Sequence, residues 1–256
     1  MKIYVCVKHV PDTAANIKTA GANGFDDAVC KFIANPYDEY AVEQAVRLME
    51  SQGGEVVVVS VGKEAAMATL RSAMAMGATR GILVTVESQF LDSEITSQAL
   101  KAAIEKDGKP DLIFTGKVAV DTEGFQTAYR LAEAMSLPVV NEILKMELRD
   151  GKAVVEREIG GGSREVLEAG LPCVLGATKG LNEPRYPKFP DIMKAKKKEV
   201  KQMTLADLGL SAAAARIELV KLEKAPDRSG AKIIPGPSRE AAQALVHILR
   251  NVEKVI

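Results

Sequence analysis

The sequence predicts an α/β fold: a doubly wound, mostly parallel sheet with an added β-hairpin region and an extended C-terminal arm. Three observations carry this prediction. Short β-rich runs alternate with helical stretches through residues 1–140, the pattern of repeated βα units. The run EVVVVSV at 55–61 has no polar face, as expected of a central parallel strand. From residue 141 the alternation stops and turn-separated β runs take over.

Taken in order, IYVCV at 3–7 is the first strand. NPYDEYAVEQAVRLMESQGG at 35–54 is a helix. Asn35 is expected to cap it, Pro36 fits its first turn and Asp38 suits its positive end. Gly53 and Gly54 stop it, and Ala41, Ala45, Leu48 and Met49 form its apolar stripe. A helix at 63–77 leads to a strand at 81–86, and a helix at 93–108 to a strand at 111–116. A further helix is expected over Glu123 to Met135. Right-handed crossovers would then place ligands beyond the carboxyl ends of the strands, where strand order reverses. The loops after Val7, Val61 and Thr115 are the places to look.

Beyond residue 141, Asp150-Gly151 between two β runs reads as a hairpin turn. Gly160 to Gly162 reads as a flexible turn followed by two more short strands. NEPRYPKFPDIMKAKKKEV at 182–200 holds three prolines and then a helix-like run. Proline breaks helix and sheet alike, so Tyr186 and Phe189 are expected on an exposed, stiffened loop. The boundary expected from this pattern puts an α/β domain at 1–199 and an arm at 200–256. Ser238 is expected to cap a last helix with Leu245, Ile248, Leu249 and Val252 on one face.

The bulk composition excludes several function classes. The 256 residues carry 34 basic and 34 acidic side chains, so no net field draws the chain to nucleic acid or anionic lipid. Cys6, Cys30 and Cys173 are odd in number and form no CxxC, as expected of reduced thiols. His9 and His247 are far apart, so a transition-metal site is not expected, and Lys8-His9 reads as surface. No apolar run reaches the roughly 20 residues of a membrane span, and no secretory signal is evident. A bacterial-type cytoplasm is the expected location.

IFTGKVAVDTEGFQT at 113–127 leaves a strand end, turns at Gly116 and enters a helix bearing Asp121, Thr122 and Glu123. Amides at such a helix start can cradle phosphate, although no GxxxxGK[ST] is present, and an ordinary strand–helix turn explains the segment equally well. KAKKK at 194–198 reads as a solvated helix end. No Ser–His–Asp order or paired carboxylates support side-chain catalysis, so any chemistry is expected to come from a cofactor.

Six blocks occur in a telling order: VCVKHVPD (5–12), NPYDEYAVEQAVRL (35–48), LRSAMAMGATRGI (70–82), GKVAVDTEGFQT (116–127), VEREIGGGSREVLEAGLPCV (155–174) and LNEPRYPKFPDIMKAKKK (181–198). Together they resemble the β subunit of electron transfer flavoprotein, over nearly the whole chain. The resemblance implies a Rossmann-like domain of the adenine nucleotide alpha hydrolase type. It also implies a C-terminal arm lying over a larger α subunit, which carries most of the redox FAD.

A bound nucleotide, usually AMP, is implied at positions matching Cys6, Asn35, Pro36, Tyr37, Asp38 and Val61. The same holds for Gly116, Lys117, Val118, Ala119, Val120, Asp121, Thr122, Glu123, Gly124, Phe125, Gln126 and Thr127. Tyr37 and Thr13 match neighbours of the isoalloxazine ring. Residues 177–199 match a recognition loop that grips partner dehydrogenases, with Phe189 as the anchor and Tyr186, Ile192, Met193, Lys194 and Lys197 around it. The implied role is an electron carrier without turnover of its own. It would receive electrons from acyl-CoA-type dehydrogenases and pass them to an acceptor such as a membrane quinone oxidoreductase.

DTEGFQ at 121–126 departs from both known loop patterns. AMP-binding members show three aspartates and then Asn-Gln; electron-bifurcating members show Asp-Gly-Asp-Thr-Ala-Gln and hold a second FAD. Bulky Phe125 favours AMP. A bifurcating subunit with NADH as donor and a stand-alone adenine-nucleotide-binding domain remain as alternatives.

Overall fold

Fully apolar runs sit at the centre of the sheet because both of their faces are covered. A computed structural model describes residues 1–88, 90–211, 216–226 and 230–256. The chain divides into two units, Met1–Leu222 and Glu223–Ile256.

The first unit opens with β1 (Lys2–Cys6) and the short strands β2 (His9–Pro11), β3 (Thr19–Ala20), β4 (Gly24–Phe25) and β5 (Phe32–Ala34). Then come α1 (Pro36–Gln52), β6 (Glu55–Gly62), α2 (Met67–Ala75), β7 (Arg80–Thr85), α3 (Ser93–Asp107), β8 (Leu112–Gly116) and α4 (Thr127–Ala134). The remainder is β9 (Val139–Arg149), β10 (Lys152–Gly160), β11 (Ser163–Gly170), β12 (Val174–Ala177), α5 (Phe189–Ala195) and β13 (Val200–Thr204). Nine strands form one sheet in the order β11-β10-β9-β12-β8-β1-β6-β7-β13. Pairing is parallel from β9 through β13 and antiparallel only in the β9-β10-β11 meander.

The alternation of the strands splits the core into two layers. Ile3, Val5, Val56, Val58 and Phe114 face one way and meet Val42 and Val46 of α1 and Leu70 and Met74 of α2. Tyr4, Val57, Val59, Ile82 and Ile113 face the other way and meet Ile95, Leu100 and Ile104 of α3 and Leu131 of α4. Helices α1 and α4 follow the adjacent strands β1 and β8 onto opposite faces. The carboxyl ends of these two strands are therefore the topological switch point.

The opposite edge of the sheet is tied by one carboxylate. The Asp107 side chain has no exposed surface and is ion-paired with Arg80 at 2.6 Å, Lys2 at 3.1 Å and Lys201 at 2.7 Å. Tyr4 Oη adds a hydrogen bond at 2.9 Å. These partners come from β1, β7 and β13, so the end of α3 fastens strands that are not sequence neighbours. Burial works against the charge, but hydrogen bonds from Arg80, Lys201, Lys2 and Tyr4 prevail and hold the carboxyl far below its ordinary range.

Several local expectations are corrected. The arm does not begin at residue 200, because Val200–Thr204 pairs in parallel with β7 and Leu205 is buried. Further on, the Arg216 and Ile217 amides donate to Asp92 at 2.6 and 3.3 Å, so this stretch lies on its own unit. The helix expected from Glu123 starts at Thr127; Glu123 and Phe125 have φ of 47° and 54°, which a helix cannot hold. The helix expected at 63–77 is a 3₁₀ turn, Glu64–Ala66, followed by α2. Asn35 makes no side-chain cap on α1, for a reason given below.

In the second unit, α6 (Ser238–His247) continues into a π-helical turn at Ile248–Val252. Ser238 is its first residue, not its cap; Pro237 holds the cap position. Leu245, Val246, Val252, Val255 and Ile256 are exposed.

Asp107→Asn should cost about 3 kcal/mol, the order found when a buried ion pair loses one partner. Because the folded carboxyl titrates below the unfolded value of about 4, its contribution is present above that pH and fades as pH falls below it. Thermal melts of both proteins at neutral and acid pH measure this: the difference between them should shrink on acidification.

Candidate functional site

The site is organised by a buried carboxylate at the switch point. Asp38, in the first turn of α1, is 5% exposed. Its Oδ2 accepts the Lys8 backbone N–H at 2.7 Å, just past β1. Its Oδ1 accepts the Gly116 N–H at the end of β8 at 3.0 Å. Oδ1 also accepts from Asn35 Nδ2 at 2.8 Å. Asn35 is thereby drawn away from the helix end. Its Nδ2 also donates to the Val118 carbonyl at 3.0 Å and its Oδ1 accepts the Val120 N–H at 3.1 Å. Sequence reasoning read Asn35 and Asp38 as a helix cap; they join α1, β1 and the 116–127 loop instead.

Gly116 fits because it has no side chain. A Cβ there would lie 2.2 Å from Asp38 Oδ1 and 2.8 Å from Tyr37 Cβ. Beyond it, the Lys117 N–H donates to the Ala177 carbonyl at 2.8 Å, and Asn141 Nδ2 donates to the Lys117 carbonyl at 3.1 Å. Lys117 Nζ lies 5.3 Å from the centre of the Tyr37 ring and 3.1 Å from Glu142. The loop is closed over β1 by Lys8, whose Nζ donates to both oxygens of Asp121 at 2.7 Å. Glu123 and Phe125 flank Gly124 in left-handed conformations. The Phe125 ring lies against Tyr129, with centroids 6.2 Å apart. Gln126 precedes α4 and accepts from Ser93 and Arg130.

Cys6, Thr115 and Val61 lie at the carboxyl ends of β1, β8 and β6. Cys6 is buried, and burial with the nearby Asp38 charge pushes its thiol up to about 12, so it offers a packed surface and no thiolate. Thr115 is buried, and its hydroxyl has no hydrogen-bond partner among the described residues. Thr13 is exposed in the turn after β2.

Lys8, expected as surface, Thr115, expected only as the strand end before the loop, and Asn141, not expected at all, join the site. Thr115, a hydroxyl at the end of an apolar strand, is the only one with a sequence signal. His9 is not a plain surface residue: its ring stacks on Phe32 at 4.6 Å and Nδ1 lies 2.8 Å from Thr69 Oγ1. Burial lowers its pKa and favours the neutral ring.

The second candidate surface is the segment before β13. Tyr186 is 94% and Phe189 74% exposed, with Ile192 and Met193 also exposed beside them. Large apolar side chains are seldom presented together to solvent without a partner. Lys194 and Lys197 are exposed on the same short segment. Lys198 is not part of a solvated helix end: its Nζ donates to the Met74 and Ala78 carbonyls at 2.9 and 2.7 Å.

Burial pushes the Asp38 carboxyl up to about 7, against the hydrogen bonds from Asn35, Lys8 and Gly116, which favour its charge. The folded chain thus keeps this proton at pH values where the unfolded chain, with a pKa of about 4, has released it. On its own this group lowers stability as pH rises from about 4 to about 7. Asp38→Asn should remove that slope while loosening the loop at Gly116. Melting temperatures of both proteins across the window test the slope, and amide exchange at 116–120 tests the loosening.

The electron transfer flavoprotein domain matches residues 25–208. The electron transfer flavoprotein subunit beta of Bacillus subtilis (strain 168) is 39% identical over 100% of both chains. That of Mus musculus is 36% identical over 100% of this chain and 99% of its own. That of Dictyostelium discoideum is 36% identical over 98% of each chain. With a switch-point loop knotted to Asp38, an apolar ridge held out on a proline-rich segment, and likeness running from end to end, this chain belongs to the electron transfer flavoprotein β-subunit family.

Proposed function

We propose that this subunit binds AMP at the switch point and serves a non-bifurcating electron transfer flavoprotein. Its partner is a larger α subunit, and FAD is shared between the two. The observation that carries the nucleotide reading is the buried, unpartnered Thr115 hydroxyl beneath a loop whose backbone is pinned by Asn35 and Asp38. An unpaired buried hydroxyl is uncommon and is satisfied by water or by a polar ligand. Glycine at 116 and 124 and the start of α4 give the close backbone approach and oriented amides that suit a phosphate. Lys8 and Lys117 are the nearby cations; each holds a carboxylate that a phosphate would have to displace or share.

FAD, when bound, supplies the one- and two-electron chemistry. The residues of this chain position and dock. Tyr37 and Thr13 are the proposed neighbours of the flavin ring. Phe189 is the proposed anchor for an acyl-CoA-type dehydrogenase, with Tyr186, Ile192 and Met193 widening the apolar contact. A single well-presented large side chain can dominate a transient interface. Lys194 and Lys197 at the rim affect encounter more than hold. The chain after the stretch held by Asp92 is proposed to lie on the α subunit; the exposed Val220, Ile233 and Val252 suit that role. Electrons would leave for a membrane quinone oxidoreductase, and the cytoplasm of a bacterial-type cell is the proposed location.

Co-expression with the α subunit, followed by denaturation and chromatography of released nucleotides, tests the nucleotide reading. The expected yield is one FAD and one AMP per heterodimer, about equal in amount. Two FAD and no AMP would overturn it in favour of a bifurcating subunit. A stable monomer that holds ATP without an α subunit would point to a stand-alone binding domain.

Gly116→Ala should sharply reduce AMP content, since its Cβ would collide with Asp38 and Tyr37. The released-nucleotide ratio reads this directly. Phe189→Ala should weaken dehydrogenase docking by about 2 kcal/mol, the scale of an interface anchor, with flavin content unchanged. Titration of the heterodimer against the dehydrogenase checks the first part and the absorbance ratio of flavin to protein the second.

A further inference from the structure

Helix α5 has seven residues, too few to hold their shape alone in water. Its exposed apolar ridge is nevertheless held at both ends. At the front, Arg185 Nε donates to Glu43 Oε2 at 2.8 Å, and its two terminal nitrogens donate to Glu50 at 2.6 and 2.9 Å. The Arg185 backbone N–H donates to the same Glu43 oxygen at 3.1 Å. Asn182 Nδ2 donates to the Tyr40 carbonyl at 3.0 Å. All four acceptors belong to α1.

At the rear, Arg71 of α2 donates to the Ala195 and Lys198 carbonyls at 2.8 and 2.6 Å. Lys198 returns bonds to the carbonyls near the end of α2. A carbonyl in the last turn of each helix, Ala195 of α5 and Met74 of α2, is thus satisfied by a cation from the facing segment.

Glu43 is the buried member, 2% exposed. Burial opposes its charge, but hydrogen bonds from Arg185 and Arg47 outweigh it and hold the carboxyl below its ordinary range. Exposed ion pairs contribute little to stability. A planar guanidinium spread over two carboxylates, one of them buried, does fix direction. Two residues after Arg185 comes Pro187, and two after that Phe189, so the orientation of Arg185 passes to the ridge with little slack.

We propose that Arg185, gripped by Glu43 of α1, is a positioning residue for partner docking, holding Phe189 and its neighbours ready before the partner arrives. This rests on the docking role of Phe189 proposed above. Association of a floppy ridge would have to order it first, at a cost to affinity.

The test uses the α/β heterodimer and a purified acyl-CoA dehydrogenase immobilised on a sensor surface. Arg185→Met leaves Glu43 paired with Arg47, so the buried charge is not stranded. If Arg185→Met fails to assemble, Arg185→Lys, which keeps the charge and loses the fork, takes its place. Affinity should fall about tenfold, the scale of ordering a few side chains on binding. Hydrogen exchange at the amides of 186–195 should rise while FAD content stays the same.

In a Phe189→Ala background, Arg185→Met should add less than about twofold, because it acts through that anchor. Undiminished binding by Phe189→Ala alone overturns the docking reading and this inference with it. If Phe189→Ala weakens binding but the Arg185 variant binds like the parent, or the two effects simply add, the docking reading stands and the positioning role falls. Unchanged exchange at 186–195 also overturns it.

Discussion

One buried carboxylate organises the switch point on which this structure depends. Asp38 receives N–H groups from the end of β1, the end of β8 and Asn35 at the start of α1. Each such bond to a charged acceptor contributes about 1.5–3 kcal/mol, while removing a carboxylate from water costs several kcal/mol. The hydrogen bonds offset only part of the burial cost, which is why the carboxyl is pushed up to about 7. Its value to the fold is in geometry. Three chain segments meet at one oxygen pair, and the loop at 116–127 has its first half fixed before any ligand arrives. A preformed loop of this kind binds without a large ordering cost.

The same helix serves two surfaces. Asn35 and Asp38 lie at the start of α1, and Glu43, Arg47 and Glu50 follow along it. The first group shapes the candidate nucleotide loop and the second holds the segment carrying Tyr186 and Phe189. The packed face of α1, with Val42 and Val46 against the sheet, makes it a rigid platform for both. This arrangement separates two demands. The loop needs buried polar contacts to keep its backbone in unusual conformations, and the ridge needs exposed apolar surface, which only outside support can keep in place.

At the other edge of the sheet the logic is purely structural. Asp107 gathers Arg80, Lys2 and Lys201, and β13 closes the row beside β7. The polar network there replaces water for strand ends that a helix on each face cannot cover. The candidate nucleotide loop lies at the opposite edge, where the winding of the sheet leaves a crevice.

The sequence by itself determined the βα repetition, the central apolar strands, the hairpin at Asp150-Gly151 and the exposure of Tyr186 and Phe189. Each of these follows from local rules: hydrophobic periodicity, turn residues and the effect of proline on the backbone. It also pointed to the strand ends from which α1 and α4 leave onto opposite faces, because a doubly wound sheet leaves few places for a crevice. Only the tertiary structure decided what Asn35, Asp38, Lys198 and Val200–Thr204 do. Local rules made Asn35 and Asp38 a helix cap, Lys198 a solvated charge and Val200–Thr204 part of an unpaired arm. Their partners lie far away in sequence, at Gly116, Val120, Met74 and the edge of β7. A side chain chooses among competing hydrogen bonds by what the fold brings within reach, and no local window contains that choice.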